Sequence, residues 1–317
     1  MTTHPVNSVD VVVPVYNESA NIDALLERLL AALTPLPCAF RILLVDDGSA
    51  DDSVELIRKW IAKRPENVAL LCLNRNYGQH AAIIAGFEAC KAEAVVTIDA
   101  DLQNPPEEIP RLLAKMREGF DIVGSIRKSR RDNFFRKTAS KIMNFLVRRL
   151  TKVNMRDYGC MLRVYRKGII DAMLQCEERF IYIPVLANSF ARTATEIEVD
   201  HAERAAGASK YNFWKLLTLF FDILTGTTFM PLRLLVFLGG LMCAASTLFG
   251  ALLIALRLYH GSIWAAHGVF TLFAVLFFFV GVQFLAFGIL GEYICRISMD
   301  VRQRPKYLIA SKEGAGN

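Results

Sequence analysis

No two cysteines of this sequence stand two residues apart, and its seven cysteines, Cys38, Cys72, Cys90, Cys160, Cys176, Cys243 and Cys295, are an odd number. That pattern speaks against a structural zinc site and a disulfide framework, and for buried thiols in a reducing compartment. No G-x-G-x-x-G turn occurs, which excludes the usual dinucleotide-binding fingerprint. No G-x-x-x-x-G-K-[ST] loop occurs, which excludes a P-loop enzyme. The opening residues, MTTHPVNSVD, lack the basic start and apolar core of a signal peptide. The polar part of the chain is therefore expected to stay on the side where it is made. Charge is missing from two long stretches. Leu234 to Leu256 and Val269 to Gly291 are 23 residues each with no Asp, Glu, Lys or Arg. No internal repeat and no low-complexity segment is evident.

What is present divides at about Met230. Over 317 residues the hydrophobic share is 53% and mean hydropathy is +0.31. The apolar excess lies almost wholly in the last third. Each uncharged stretch is long enough to cross roughly 30 Å of hydrocarbon as a helix. The connection between them has one cation, Arg257, at its edge. The tail beyond carries Arg296, Arg302, Arg304, Lys306 and Lys312. Cations gather on the cytoplasmic side of membranes, so both flanks are expected inside and the connection outside. Ahead of the first stretch, Tyr211 to Thr225 sets a polar stripe of Asn212, Lys215, Thr218, Asp222 and Thr225 against aromatic and leucine neighbours. That suits a helix lying in the membrane interface. Ile294, Ile297 and Val301 suggest a similar short helix after the second stretch. The net charge of +6 suits an anionic partner without naming one.

The first two-thirds reads as an α/β domain. Apolar strands are expected at Val9–Val15, Arg41–Val45, Val68–Leu73, Ala94–Ile98 and Asp121–Ser125. Helices are expected between them at 23–33, 53–63, 80–90 and 107–118. Continuous apolar strands alternating with helices indicate a mostly parallel sheet covered on both faces. Ligands of such sheets bind beyond the carboxyl ends of the strands. Polar clusters stand at those ends: Tyr16-Asn17-Glu18, Asp46-Asp47, Asn74 to His80, and Asp99 to Asp101.

Asp99-Ala100-Asp101 carries the sharpest chemistry. Two carboxylates at a strand end can share a hard cation, Mg²⁺ or Mn²⁺, which takes oxygen ligands and can bridge to a diphosphate. Such an ion stabilises a departing diphosphate. Further on, Arg127, Arg136 and Ser140 form a candidate phosphate site, because a guanidinium fork matches phosphate oxygens. Lys128, Arg130 and Lys141 read as a solvated helix face.

Strand ends reading VVVPVYNES, LLVDDGSADDS and VTIDADLQNPPEEIP resemble glycosyltransferase family 2, whose fold is the GT-A nucleotide-sugar domain, a Rossmann-like mixed sheet. The resemblance implies that Pro14, Tyr16 and Glu18 line a nucleoside pocket and that Asp47 contacts base or ribose. It implies that Asp99 and Asp101 meet diphosphate and metal, whereas Asp46 is equally well a structural cap on its turn. It is similar to the polyprenyl-phosphate members, in which residues matching Arg127, Arg136 and Ser140 hold the lipid phosphate. It implies that Asp157 faces the acceptor, as a positioning group or a base, and that Arg204 and Lys210 sit on a loop closing over the diphosphate. His201 reads as structural. The runs Asn74–His80, Asp99–Pro110, Asp157–Arg163 and Gly291-Glu292-Tyr293 narrow the resemblance to enzymes that glycosylate undecaprenyl phosphate from a UDP-sugar. The implied organisation is a cytoplasmic catalytic domain at 1–210, an interfacial helix at 211–230, two transmembrane helices within 231–292, and an amphipathic segment at 293–317. A homotetramer is the implied assembly. Residue chemistry alone stops at nucleotide sugar plus lipid phosphate, so a glucosyl or mannosyl donor stays open. A processive polysaccharide synthase would need a Q-x-x-R-W run, and none of Trp60, Trp214 and Trp264 follows an arginine.

Overall fold

The computed structural model describes residues 5–127, 160–176, 182–200, 230–260, 269–301 and 305–315. The chain forms two units, Met1–Asn212 with Gln303–Asn317, and Phe213–Arg302.

The first unit is built on β1 (Ser8–Val15), α1 (Ile22–Leu33), β2 (Ala39–Asp46), α2 (Ser53–Lys63), β3 (Val68–Leu73), α3 (Gln79–Ala89), β4 (Ala94–Thr97), α4 (Ile109–Arg117), β5 (Ile122–Arg127), β6 (Arg163–Arg166), α5 (Lys167–Leu174), α6 (Ile183–Phe190), β7 (Ala194–Val199) and β8 (Ile309–Gly314). The eight strands lie in one sheet of order β7-β5-β6-β4-β1-β2-β3-β8. The centre, β4-β1-β2-β3, is parallel. On its flanks β6 runs antiparallel to β4 and β5, and β8 antiparallel to β3. The sheet is therefore mixed, parallel where the apolar runs are longest.

Continuous apolar strands bury both faces, because successive side chains point to opposite sides. Val9, Val11, Val13, Val15, Ile42, Leu44, Val68, Leu70 and Val96 pack into one layer with α1, α2 and α4. Val12, Leu43, Val45, Ala69, Leu71 and Val95 pack into the other with α3, α5 and α6. Burying a valine or leucine side chain contributes roughly 1.5–3 kcal/mol, so the core strands are strongly specified. Asp10 interrupts this pattern. It is buried and takes a two-point ion pair from Arg41 at 2.9 Å. Its Oδ2 also accepts the Lys91 and Ala92 amides. A buried carboxylate with such partners is a structural tie at the amino end of the strands, far along β1 from the polar rim.

The sequence reading differs from the structure at the C-terminus. The second unit holds two long helices, α7 (Met230–His260, 31 residues) and α8 (Val269–Val301, 33 residues). The short helix expected around Ile294–Val301 is the continuation of α8, not a separate element. The segment expected at 293–317 as amphipathic is given no strand by the sequence, and residues Ile309–Gly314 form one. This strand, β8, lies on the open edge of β3, with Asn74 donating its amide to the Leu308 carbonyl at 3.0 Å. Arg58 pairs with Glu313 at 2.8 Å, and Lys306 Nζ donates to the Cys176 carbonyl at 3.0 Å. An edge strand is polar on its outer side, so Ile-Ala-Ser-Lys-Glu-Gly carries no apolar run to announce it. Among the described residues one window, Phe278–Cys295, is long and apolar enough to cross a membrane, with mean hydropathy 1.7.

Candidate active site

The parallel strands β1, β2, β3 and β4 end on one rim, and hydrogen bonds join their loops in sequence. After β1, Asn17 takes a left-handed φ of 55°, a conformation that asparagine tolerates better than most residues. Its amide donates to Ser49 Oγ at 2.9 Å, and its side-chain oxygen accepts the Ala50 amide at 2.8 Å. The Glu18 amide donates to Ser53 Oγ at 3.0 Å, the Ser19 amide to Asp51 at 3.0 Å. These bonds fix the loop after β1 against the loop after β2. Glu18 itself accepts from Asn21 Nδ2 at 2.6 Å. Tyr16 presents its ring to solvent, 41% exposed, and Pro14 lies half-buried within β1.

Asp46 accepts the Gly48 and Ser49 amides at 3.2 Å, which makes it the cap of its own turn. Asp47 reaches across to the loop after β3 and accepts the Tyr77 amide at 2.7 Å and the Gly78 amide at 2.8 Å. Burial pushes the Asp47 carboxyl up, opposed by those two amides. Gly48 lets the loops close. At φ +73° it lies so near the next loop that a Cβ would stand 2.7 Å from the Arg75 carbonyl carbon. Arg75 stacks over the Tyr77 ring at 4.4 Å.

The loop after β3 ends in Gln79, whose Nε2 donates to Asp99 Oδ1 at 2.6 Å. Alternation at the end of β4 buries Ala100 and leaves Asp99 and Asp101 half-buried, facing away from the core. Asp101 accepts the Gln103 amide at 3.1 Å. Between them Leu102 holds φ at 59°. A left-handed leucine costs roughly 1–2 kcal/mol, and burial of its side chain offsets that. Among the described residues no cluster of three or more His, Cys, Asp or Glu forms. Asp99 and Asp101 offer carboxylate oxygens here, the ligand type that a hard divalent cation takes.

Beside this turn lies a buried polar trio. The Cys160 thiol donates to Asn104 Oδ1 at 3.2 Å, Ser125 Oγ lies 2.9 Å from Cys160 Sγ, and Ser125 donates to the Leu162 carbonyl at 2.7 Å. Thr97 donates to the Met161 carbonyl at 2.6 Å, and buried Arg163 donates from Nε to the Cys160 carbonyl at 2.8 Å. The trio docks the segment leading into β6 against the ends of β4 and β5.

Of the residues singled out from sequence, the structure brings together Pro14, Tyr16, Glu18, Asp46, Asp47, Asp99 and Asp101 on this rim. Arg127 is the last residue of β5, paired in register with Val199. Asp157, Arg136, Ser140, Arg204 and Lys210 lie outside the described residues, as does the stretch 211–225. Sequence reasoning places Gln79 in the polar cluster after the third strand without foreseeing its contact with Asp99, and it gives Asn104 and Ser125 no place in the site. Position gives a signal for Gln79 alone, the first residue of α3; Asn104 lies in the loop after β4 and Ser125 within β5.

The comparisons with known proteins agree with this geometry. A profile of the family described as "Glycosyl transferase family 2" matches residues 10–174, the stretch that holds β1 to α5. A curated relative from Proteus mirabilis is 54% identical over 313 residues, spanning 99% of this chain and 96% of its own. One from Aeromonas hydrophila is 55% identical, spanning 98% and 95%. Both are named undecaprenyl-phosphate 4-deoxy-4-formamido-L-arabinose transferase. Among solved structures, glucosyl-3-phosphoglycerate synthase from Mycobacterium tuberculosis, in complex with Mn²⁺, UDP-glucose and phosphoglyceric acid, aligns with TM-score 0.50 at 17% identity over 69% of this chain and 78% of its own. A mycobacterial protein aligns with TM-score 0.51 at 14% identity over 69% and 73%. Identities that low carry the fold alone. A GT-A-like mixed sheet, paired acids after its fourth strand and relatives over almost the whole length lead to one assignment: the chain is a glycosyltransferase and belongs to glycosyltransferase family 2.

Proposed function

We propose that the enzyme moves 4-deoxy-4-formamido-L-arabinose from its UDP donor to undecaprenyl phosphate at the cytoplasmic face of a bacterial inner membrane, with inversion at the anomeric carbon. The product would feed lipid A modification and resistance to cationic antimicrobial peptides such as polymyxin. One observation carries the reading: Asp99 and Asp101 stand together on the rim of a chain 54% identical, over nearly its full length, to a relative of that name.

The reaction asks little of an enzyme nucleophile. A lipid phosphate is already anionic, so its oxygen attacks the anomeric carbon from the face opposite UDP while the bond to the diphosphate breaks. Tyr16, Pro14 and Glu18 would line the nucleoside pocket, with Asp47 beneath it holding the Tyr77–Gly78 loop. Asp99 and Asp101 would hold Mg²⁺ or Mn²⁺. When bound, that ion supplies positive charge against the diphosphate as negative charge builds there. Arg127, Arg136 and Ser140 would take the lipid phosphate, Asp157 would position the acceptor or donor sugar or act as base, and Arg204 and Lys210 would close over the diphosphate.

Two membrane crossings fit the chain path. Helices of 31 and 33 residues are about 46 and 50 Å long at 1.5 Å per residue, more than the hydrocarbon core requires. Met1–Asn212 and Gln303–Asn317 share one unit, and β8 pairs with β3. A strand can join that sheet only from its own side of a membrane, so the number of crossings is even. Sheet pairing supports a hairpin of two spans.

The test is glycolipid synthesis by purified enzyme with undecaprenyl phosphate and a panel of UDP-sugars, with and without EDTA. The formamido donor is expected to be turned over and UDP-glucose not, and EDTA to abolish product. Asp99→Ala and Asp101→Ala are expected to lower turnover roughly 10²–10³-fold, as when an electrostatic partner of the leaving charge is removed. Equal use of UDP-glucose would refute the sugar, and full activity of both alanine variants would refute the site.

A further inference from the structure

Gln79, at the start of α3, reaches the candidate cation ligands. Its Nε2 meets Asp99 Oδ1 at 2.6 Å. We propose that Gln79 is a positioning residue that sets the orientation of the Asp99 carboxylate for the divalent cation. The inference rests on the cation reading of Asp99 and Asp101 under the proposed function.

Three observations make this contact part of a built arrangement. Gln79 is the first residue of α3, directly after Gly78 at φ +95°. The two residues before it are clasped through their amides by buried Asp47 at 2.7 and 2.8 Å. Earlier in the same loop, Arg75 and Asn76 are held by the close approach of Gly48. On its other side, α3 is seated deep in the sheet. A Cβ on Gly86 would stand 2.4 Å from Val12 Cγ1 and 3.1 Å from Val45 Cγ2, so only glycine permits this approach. Ala82 to Phe87 of this helix are all buried. Gln79 thus hangs from a helix fixed against β1 and β2 and from a loop fixed by Asp47. Asp99 follows β4, the neighbour of β1 on the other side. The amide therefore joins the start of α3 to the turn after β4, held on its own side by α3 and by the Asp47 clasp.

A carboxylate has about four lone-pair sites on its two oxygens. An amide donor on one oxygen restrains rotation of the group without using up its capacity for a cation. Partners of this kind orient metal ligands, and their loss costs about 10–100-fold in metal affinity. A glutamine suits the position. It supplies a donor without bringing a cation that would compete with the metal, or an anion that would repel the carboxylate.

The experiment measures UDP binding calorimetrically to the full-length protein in detergent, in Mn²⁺ and in EDTA, together with the Mn²⁺ dependence of turnover. Gln79→Leu removes the amide at similar size, and Gln79→Asn keeps an amide too short to reach. Both are expected to bind UDP in EDTA as the unsubstituted enzyme does and to lose about tenfold of the Mn²⁺-dependent affinity. They are expected to recover turnover when Mn²⁺ is raised and to melt at the unsubstituted temperature, since Gln79 is exposed. Unchanged Mn²⁺ dependence in both variants would overturn the assignment. So would an equal loss of UDP affinity in EDTA and Mn²⁺, the mark of a displaced loop. A failure of the underlying cation reading is told apart because it appears in the unsubstituted enzyme, as UDP binding that Mn²⁺ does not strengthen.

Discussion

At the scale of single residues, the rim depends on a few positions where chemistry and backbone geometry meet. Gly48 is the clearest. Its φ of +73° and a would-be Cβ contact of 2.7 Å leave no space for alanine, and the left-handed cost of roughly 1–2 kcal/mol adds to the clash. Gly48→Ala is expected to lower stability by about 2 kcal/mol or more and to weaken UDP binding, because Arg75 and Asn76 must move away. Thermal melting with calorimetric UDP titration checks both effects, and unchanged values in each would contradict the close approach.

His80, next to Gln79, gives a pH prediction. Its Nδ1 is buried with no hydrogen-bond partner among the described residues, and its ring packs edge-on to Tyr182 at 5.7 Å. Burial lowers its pKa from 6.5 to about 4. The folded protein therefore keeps the ring neutral where the unfolded chain protonates it. Stability is expected to fall as pH drops from about 6.5 towards 4 and to stop changing on this account below that. Denaturation midpoints measured across that range should show a shallower pH slope in His80→Leu than in the unsubstituted protein.

At the scale of elements, the strands carry the order of the site and β8 carries part of its rigidity. The Asn74 amide donates to the Leu308 carbonyl at the point where the loop bearing Tyr77, Gly78 and Gln79 begins. Beyond it, Arg41 donates to the Ala315 carbonyl at 3.2 Å, joining the tail to the buried Asp10 pair. Ending the chain after Gln303 removes β8, leaves β3 as an open edge prone to pairing with other chains, and frees that loop. Lower melting temperature, more aggregation and faster hydrogen exchange at the Asn74 amide are the expected outcomes. Protection at Asn74 equal to that of the full chain would show that β8 does not hold the loop.

The strands β1 to β4 were legible in the sequence almost residue for residue, because each is an apolar run with polar residues at its end. Val68–Leu73 and Ser53–Lys63 match their expected ranges. By contrast β7, reading Ala-Thr-Glu-Ile-Glu-Val, and β8 lie at the sheet's edges with largely half-exposed residues. Half-exposed strands carry little hydrophobic signal, and their pairing is decided by distant partners. The helix α8 exceeded the expected span because Glu292 and Arg296 interrupt hydrophobicity without interrupting helix formation.

At the scale of the whole molecule, two long apolar helices stand between a domain and that domain's own last strand. The topology this implies is open to direct measurement. In a cysteine-free background, a cysteine replacing Trp264 is expected to react with a membrane-impermeant thiol reagent applied from outside intact cells. One replacing Lys312 is expected to react only after the cells are opened. The opposite labelling, or equal labelling, would remove the hairpin.

The sequence by itself determined the α/β class, the two uncharged helices and the paired acids after the fourth strand, since each is written in local periodicity or in adjacent residues. Tertiary structure alone decided that Asp46 caps its own turn while Asp47 reaches to the next loop, that Gln79 meets Asp99, and that the tail returns as a strand. The Asp46 cap spans two or three residues, but the other contacts join residues 20 to more than 200 positions apart along the chain, and their geometry follows from how helices and loops pack over the strand ends, which no local pattern encodes.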